Sequence, residues 1–311
     1  MPIQSGPVSG LLNVNKPAGI TSHDVVARIR KLAGQRRVGH AGTLDPLATG
    51  VLLVCLGQAT RLIEYLVASR KQYRATVRFG TATNTDDADG EVIATGDPAN
   101  VTESQLRDIL LTFVGEIQQT PPIFSALKKN GQPLYKRARA GQPVEVSPRA
   151  VTIHALTWVD WEPPDLILDV VCSPGTYIRA LARDLGQASG VPAHLAALTR
   201  TASGDWLLEQ AVSLTRLELE AAEGSDRWQR HLLPPDRTIS HLPRVTLDEA
   251  GVIQVKHGQQ VQVSNIEAGP DETVSDALVR AYTPAGEFLA ILTQVNADDK
   301  LWQPKKVFQT R

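Results

Sequence analysis

The segment Gly42-Thr43-Leu44-Asp45-Pro46-Leu47-Ala48-Thr49-Gly50-Val51 constrains this chain more than any other, because it reads as a stiff turn that opens into a buried strand. Gly42 and Gly50 admit backbone conformations closed to other residues, and Pro46 fixes its own φ while pushing Asp45 away from helical geometry. The run that follows, Val51-Leu52-Leu53-Val54-Cys55-Leu56, is uninterruptedly apolar and of strand length. Asp45 is therefore aimed by a rigid loop at the mouth of that strand, with no second carboxylate in the segment. Two readings stay open at this point. Rigid loops on scaffolds carry chemistry, so Asp45 is a candidate nucleophile; equally, an Asp in a turn can cap nearby backbone N–H groups.

The chain has 311 residues, 42% of them hydrophobic, enough for one large domain plus a smaller one. Cys55 and Cys172 sit in separate apolar runs, without C-x-x-C spacing, and the seven His residues do not cluster. Buried, reduced thiols in a cytoplasmic protein without a metal are expected. The segment Met1 to Gly10 lacks a basic leader, and no apolar run reaches the roughly 18 residues of a membrane span, so a soluble, untargeted chain is expected.

The net charge of -1 hides an asymmetry. Residues 1–80 hold eleven Lys/Arg against three acids, Asp24, Asp45 and Glu64. Residues 121–150 add Lys128, Lys129, Lys136, Arg137, Arg139 and Arg149 against Glu145, whereas residues 201–311 carry eleven basic and sixteen acidic side chains. Basic charge gathered around the Asp45 loop suits a nucleic-acid backbone, which attracts such a surface through counterion release.

Thr21-Ser22-His23-Asp24 ahead of Val25, Val26, Ile29 and Leu32 predicts a capped helix over about 23–33, closed by Gly34. Ala59 to Val67 reads as a short helix. Tyr73 to Phe79 alternates, placing Tyr73, Ala75, Val77 and Phe79 inward and Arg74, Thr76 and Arg78 on a basic outer face. Thr102-Glu103-Ser104-Gln105 is a capping box opening a helix to about 114. Residues 123–148, with Gly131, Pro133, Gly141 and Pro143 amid the basic cluster, read as a protruding insertion able to close over a ligand. Residues 150–159 and 165–172 are β-rich, and Tyr177 to Ala188 has helical spacing. Mixed helices and antiparallel hairpins indicate α+β. Pro234-Pro235 and Pro243 mark a boundary within 220–243, followed by short β-like runs at 244–247, 252–255, 260–263, 278–282 and 287–292, spaced as in a small barrel.

Several motifs fail. Ser125-Ala126-Leu127-Lys128 matches S-x-x-K, but S-D-N and K-T-G are absent. Asn84 to Glu91 resembles a calcium loop, yet Thr85 stands for the first ligand and Gly96 for the bidentate Glu, leaving an exposed acidic turn as the expectation. There is no P-loop, G-x-G-x-x-G or G-x-S-x-G.

Three segments together carry a resemblance: Asn15-Lys16-Pro17-Ala18-Gly19-Ile20-Thr21-Ser22, Val38-Gly39-His40-Ala41 running through the Asp45 turn to Leu52, and Cys172-Ser173-Pro174-Gly175-Thr176-Tyr177-Ile178-Arg179. The chain resembles the TruB family of bacterial tRNA pseudouridine synthases over essentially its whole length. The resemblance implies a pseudouridine synthase fold, with a mixed, largely antiparallel central sheet flanked by helices, over residues 1–235. It also implies a T-arm-gripping insertion at about 121–150 and a small PUA-like β-barrel over 241–311. By the same resemblance Asp45 is the nucleophile that converts a TΨC-loop uridine of tRNA to its carbon-linked isomer, and no cofactor or metal is called for. His40 fills the space left by the extruded nucleotide, Tyr73 stacks on the flipped uracil, and Arg179 pairs with Asp45. Tyr177 and Leu198 line the pocket, and Lys16 with Pro17 supports its wall. One of Asp86, Asp87 and Asp89 belongs beside the pocket, without the sequence saying which. A monomer with no obligate protein partner is the family expectation.

Whether Asp45 first attacks the base or the ribose stays open. Two rival classes stay open as well: a non-catalytic RNA-binding protein using the same basic face, and a small-molecule lyase or glycosidase using Asp45. An ordinary glycosidase needs a second acid about 5–10 Å away. A lone carboxylate in a basic setting speaks against that last reading.

Overall fold

Period-two and helical patterning take turns along this chain, and the computed structural model describes residues 8–125, 128–129, 132–133, 146–224, 226–267, 269, 278–296 and 300–308. The first part carries strands β1 (Gly10–Lys16), β2 (Val38–Ala41), β3 (Thr49–Leu56), β4 (Lys71–Phe79), β5 (Thr81–Thr83), β6 (Val92–Thr95) and β7 (Gly115–Gln119). After the paired two-residue strands β8 (Lys128–Lys129) and β9 (Gln132–Pro133) come β10 (Arg149–Glu162), β11 (Asp165–Cys172), β12 (Ala193–Ser203), β13 (Trp206–Leu207) and β14 (Val212–Ser213). The helices among them are α1 (Ser22–Leu32), α2 (Ile63–Val67), α3 (Glu103–Thr112), α4 (Ile178–Ser189) and α5 (Leu214–Ala222). A ten-stranded mixed sheet runs β14-β1-β3-β12-β4-β11-β10-β7, with β13 on β12 and β2 on β3.

Strand β3 is apolar from Val51 to Leu56 because both of its faces are covered there. Leu52, Val54 and Leu56 enter the main core with Val25, Val26 and Ile29 of α1, while Val51, Leu53 and Cys55 pack with Leu11, Ala41, Ala59 and Leu66 behind the sheet. Each such side chain contributes about 1.5–3 kcal/mol by leaving water. Burial pushes the Cys55 thiol up to about 12 and that of Cys172 to about 11, so both are inert.

Strand β4 alternates as the sequence predicts, with Tyr73, Ala75, Val77 and Phe79 buried. Its outer face, expected to be basic, is electrically paired. Arg74 donates to both carboxylate oxygens of Asp169 (2.9 and 2.8 Å) and Arg78 to both of Asp165 (2.7 and 2.7 Å), each acid lying directly across on β11. Charge counted along the chain misses this because the neutralising acids are about ninety residues away. Helix α1 is capped as expected, and the cap is a capping box of Thr21 and Asp24. In α3 only half of the box forms: Thr102 accepts from Gln105 N, but the Gln105 side chain donates to Ser189 O at 3.1 Å, tying α3 to the end of α4.

The C-terminal sheet runs β15-β17-β18-β19-β16, built from β15 (Arg244–Thr246), β16 (Val261–Gln262), β17 (Leu278–Tyr282), β18 (Phe288–Asn296) and β19 (Leu301–Val307), around Val245, Val255, Val279, Leu292 and Trp302. The expected strand at 252–255 is instead part of helix α6 (Glu249–Lys256). Asp248 caps it, accepting from Gly251 N at 2.7 Å, and the three-residue spacing of Val252 and Val255 fits a helix. Strand β19 escapes a sequence reading because Pro304 interrupts it. Leu62, Ile239, Leu242, Ile291 and Phe308 form a separate apolar cluster that ties the linker to the turn after β3 and to the C-terminal sheet.

The insertion expected at 123–148 falls largely outside the described residues, and with it the side chains of Lys128, Lys129, Lys136, Arg137 and Arg139. Among the described residues, no helix is long and apolar enough to cross a membrane, and no group of His, Cys, Asp and Glu is placed to hold a metal ion.

Candidate active site

The Asp45 turn is fastened from behind. Gly42 and Gly50 adopt φ of 94° and 99°, the left-handed geometry that their lack of a side chain permits. Ser22 Oγ accepts from Leu44 N at 2.8 Å, Gly19 N donates to Pro46 O at 2.8 Å, and Ala48 N closes the turn on Asp45 O at 3.1 Å. Lys16 Nζ donates to the carbonyls of Ile20 (2.7 Å), Pro17 (2.9 Å) and Pro46 (3.2 Å). Burial lowers the Lys16 ammonium to about 8, against an opposing pull from the Asp45 charge. Lys16 has no exposed surface and braces the turn from behind.

With the loop's backbone satisfied elsewhere, the Asp45 carboxylate is free of a capping duty among the described hydrogen bonds. It faces Arg179, whose Nε lies 2.9 Å from Oδ2 and whose Nη2 donates to Oδ1 at 3.2 Å. Arg179 is held in turn by the carbonyls of Thr85 and Phe124, both at 3.0 Å, and its Nη1 lies 3.5 Å from Asp87 Oδ2. The Arg179 and Asp87 side chains are 6% and 7% exposed and Asp45 is 31% exposed, so Asp45 is the accessible end of a buried charge array. Asp87 answers which acid of the 84–91 stretch stands beside the pocket. That stretch is only in part the exposed turn expected from its composition: Asn84, Ala88, Asp89 and Glu91 are exposed, but Asp87 is buried and half-buried Asp86 pairs with Arg183 at 2.9 Å. Burial raises the carboxyl of Asp86 despite that pairing.

Arg179 stands in the first turn of α4, whose N-cap is Tyr177, a residue with no capping side chain. Fully buried Gln119 of β7 fixes that residue instead, accepting from Tyr177 N (2.8 Å) and donating to Tyr177 O (3.0 Å). The Tyr177 ring is covered by the Arg149 guanidinium, 4.8 Å from its centroid.

These elements enclose a cleft of about 420 Å³, within the range of small-molecule sites. It brings together Asp45, Tyr73, Arg179, His40, Tyr177 and Leu198. Burial raises the Tyr73 hydroxyl above its ordinary value, leaving it protonated at neutral pH. Burial, with the His23 and Arg200 charges, lowers His40 to about 4, so its ring is neutral; His23 stands edge-on to it at 5.3 Å.

Lys71 and Arg200 also line the cleft, and sequence reading passed over both. The signal existed, since Lys71 shares the inward parity of Tyr73 on β4 and Arg200 that of Leu198 on β12. Lys71, lowered to about 8 by burial, spends its protons on the carbonyls of Leu66, Val67 and Ser69 at the end of α2.

Residues 30–178 match the TruB family pseudouridylate synthase N-terminal domain and residues 179–240 the tRNA pseudouridylate synthase B C-terminal domain. The chain is 45% identical over 284 residues to tRNA pseudouridine synthase B of Thiobacillus denitrificans, covering 91% of both chains. It is 41% identical over 303 residues to the Burkholderia mallei protein of that name, covering 97% of this chain and 98% of that one. Among solved structures, a chain of an H/ACA RNP bound to a substrate RNA containing 2'-deoxyuridine superposes with a TM-score of 0.71 at 27% identity, over 97% of this chain and 86% of that one. A chain of the archaeal box H/ACA sRNP Nop10-Cbf5 complex gives 0.69 at 27% identity, over 96% and 86%. Fold and sequence agree along nearly the whole length, and the chain belongs to the TruB family of pseudouridylate synthases.

Proposed function

We propose that Asp45 is the nucleophile of a tRNA pseudouridine synthase that isomerises the T-loop uridine at position 55. The observation that carries the assignment is the cleft itself: the one accessible carboxylate of the Arg179 array opens into a cavity shared with Tyr73, His40 and Leu198. The C1'–N1 bond breaks, a C1'–C5 bond forms, the C5 proton leaves and N1 gains one, so the product has the substrate's formula and no electrons change hands. Such chemistry asks for one positioned carboxylate and an exit for a proton.

A uridine stacked in an RNA loop cannot reach this cleft, so the target nucleotide is flipped out. Neutral His40 at the rim fills the vacated space without the desolvation cost of a charge. Tyr73 stacks on the flipped uracil, Arg179 orients the carboxylate, and Tyr177 and Leu198 form the pocket walls. Residues 1–235 make up the catalytic unit and 241–311 the PUA-like RNA-binding unit; the basic insertion at 121–150 grips the T arm through its phosphates. The enzyme works as a cytoplasmic monomer without an obligate protein partner.

Incubation with an unmodified tRNA transcript, followed by chemical mapping of pseudouridine, tests the reading. The wild type modifies the T-loop uridine alone. Asp45→Asn loses turnover by about 10³-fold or more while tRNA affinity stays within a few-fold. Product at another position overturns the substrate assignment, and retained turnover overturns the nucleophile.

A further inference from the structure

The residue that joins the Asp45 loop to the Tyr73 strand is Arg200, a guanidinium 1% exposed and placed in the wall of the cleft. Its Nε donates to Val51 O at 2.6 Å, its Nη2 to Gly42 O at 3.1 Å, and its Nη1 reaches Thr43 O at 3.5 Å. Gly42 and Thr43 begin the loop and Val51 follows it, so one planar fork closes both ends of the segment that presents Asp45. All three of these hydrogen bonds go to carbonyls, and each is available only while the loop keeps its present shape.

The backbone of Arg200 serves the same end. It stands directly across from Tyr73 on β4 and from Gly50 on β3. A Cβ on Gly50 would come within 2.2 Å of Arg200 O, so the loop is pressed against this residue as closely as glycine allows. On the other side, Arg200 and Tyr73 line the same cleft as register partners on adjacent strands.

We propose that Arg200 is a positioning residue that fixes the Asp45 carboxylate relative to the Tyr73 hydroxyl, through a fork no other side chain type can reproduce. The proposal rests on the assignment of Asp45 and Tyr73 to the chemistry. A lysine supplies charge but not three divergent in-plane donors, so it cannot hold both ends of the loop. Misplacement of a reacting group by about 1 Å is enough to lower a rate about 10²-fold.

The test compares Arg200→Lys with Arg200→Met, which keeps side-chain volume and removes the buried charge. Single-turnover pseudouridine formation, tRNA affinity and thermal melting are measured for each. Arg200→Lys is expected to lose about 10²-fold in single-turnover rate, with tRNA affinity within three-fold of wild type. In a Tyr73→Phe background the same substitution is expected to cost less than about ten-fold, because part of what Arg200 aligns is already missing. A purely structural residue gives equal losses in both backgrounds, and that result overturns the proposal. So does a rate within three-fold of wild type in Arg200→Lys, or failure of both variants to fold, which would assign Arg200 to the fold alone. Asp45→Asn is run alongside: if it retains turnover, the assignment beneath the proposal falls, whatever Arg200 does.

Discussion

Lys16 shows at the scale of one residue how support and chemistry are divided. Its ammonium sits with no exposed surface among three carbonyls, one of them on the Asp45 turn, and burial brings it to about 8. Below pH 8 both folded and unfolded chains carry that proton. Between about pH 8 and the ordinary value of 10.5, the unfolded chain binds more protons than the folded one, so this group's contribution to stability rises with pH and is lost as pH falls toward 8. Wild type is therefore expected to gain stability relative to Lys16→Met between pH 8 and pH 10, read as the difference in urea-unfolding free energy. A pH-independent difference refutes this reading. The motif around Lys16 was legible in sequence, but its place behind the loop was not, because that depends on which carbonyls the β1 to α1 connection turns toward it.

At the scale of elements, helix α4 delivers Arg179, and its start is set by a different strand. Gln119 is buried and hydrogen-bonded twice to the Tyr177 backbone, fixing the start of a helix that lacks a capping side chain. Gln119→Leu keeps the volume but takes the acceptor from the part-buried Tyr177 N–H, while Tyr177 O keeps Leu181 N as its donor; the lost partner costs about 1–3 kcal/mol. Denaturant unfolding is expected to show a loss in that range, accompanied by a fall in kcat of about ten-fold as Arg179 drifts from Asp45. Unchanged stability would show that solvent replaces Gln119 without penalty. Helix α4 was readable from its apolar spacing, its cap was not, since Gln119 and Tyr177 are 58 residues apart.

At the scale of the whole molecule, the basic surplus of residues 1–80 has to be discounted residue by residue. Lys16 and Lys71 are buried on carbonyls, and Arg74 and Arg78 are paired with Asp169 and Asp165. Binding of tRNA is expected to weaken steeply with salt, since each phosphate contact contributes about 0.7–0.9 to the slope of log K against log salt. Arg74→Gln and Arg78→Gln are expected to leave that slope unchanged, because paired guanidiniums release few counterions. A slope reduced by about one for either variant would place RNA on this face.

Local chemistry was legible in the sequence alone: Pro46 stiffens the turn that Gly42 and Gly50 allow to bend, a short all-apolar run of strand length fits a strand covered on both sides, and an alternating one exposes half its side chains. Those facts put Asp45 on a rigid loop and Tyr73 inward before any coordinates. Tertiary structure alone decided which distant groups meet: that Asp87 shares Arg179 with Asp45, that Arg200 bridges the loop and the Tyr73 strand, and that 252–255 coils instead of extending. The physical reason is range. Steric and hydrophobic patterning acts over a few residues, whereas ion pairs and carbonyl-bound guanidiniums join atoms that the chain brings together only once its strands have taken their order.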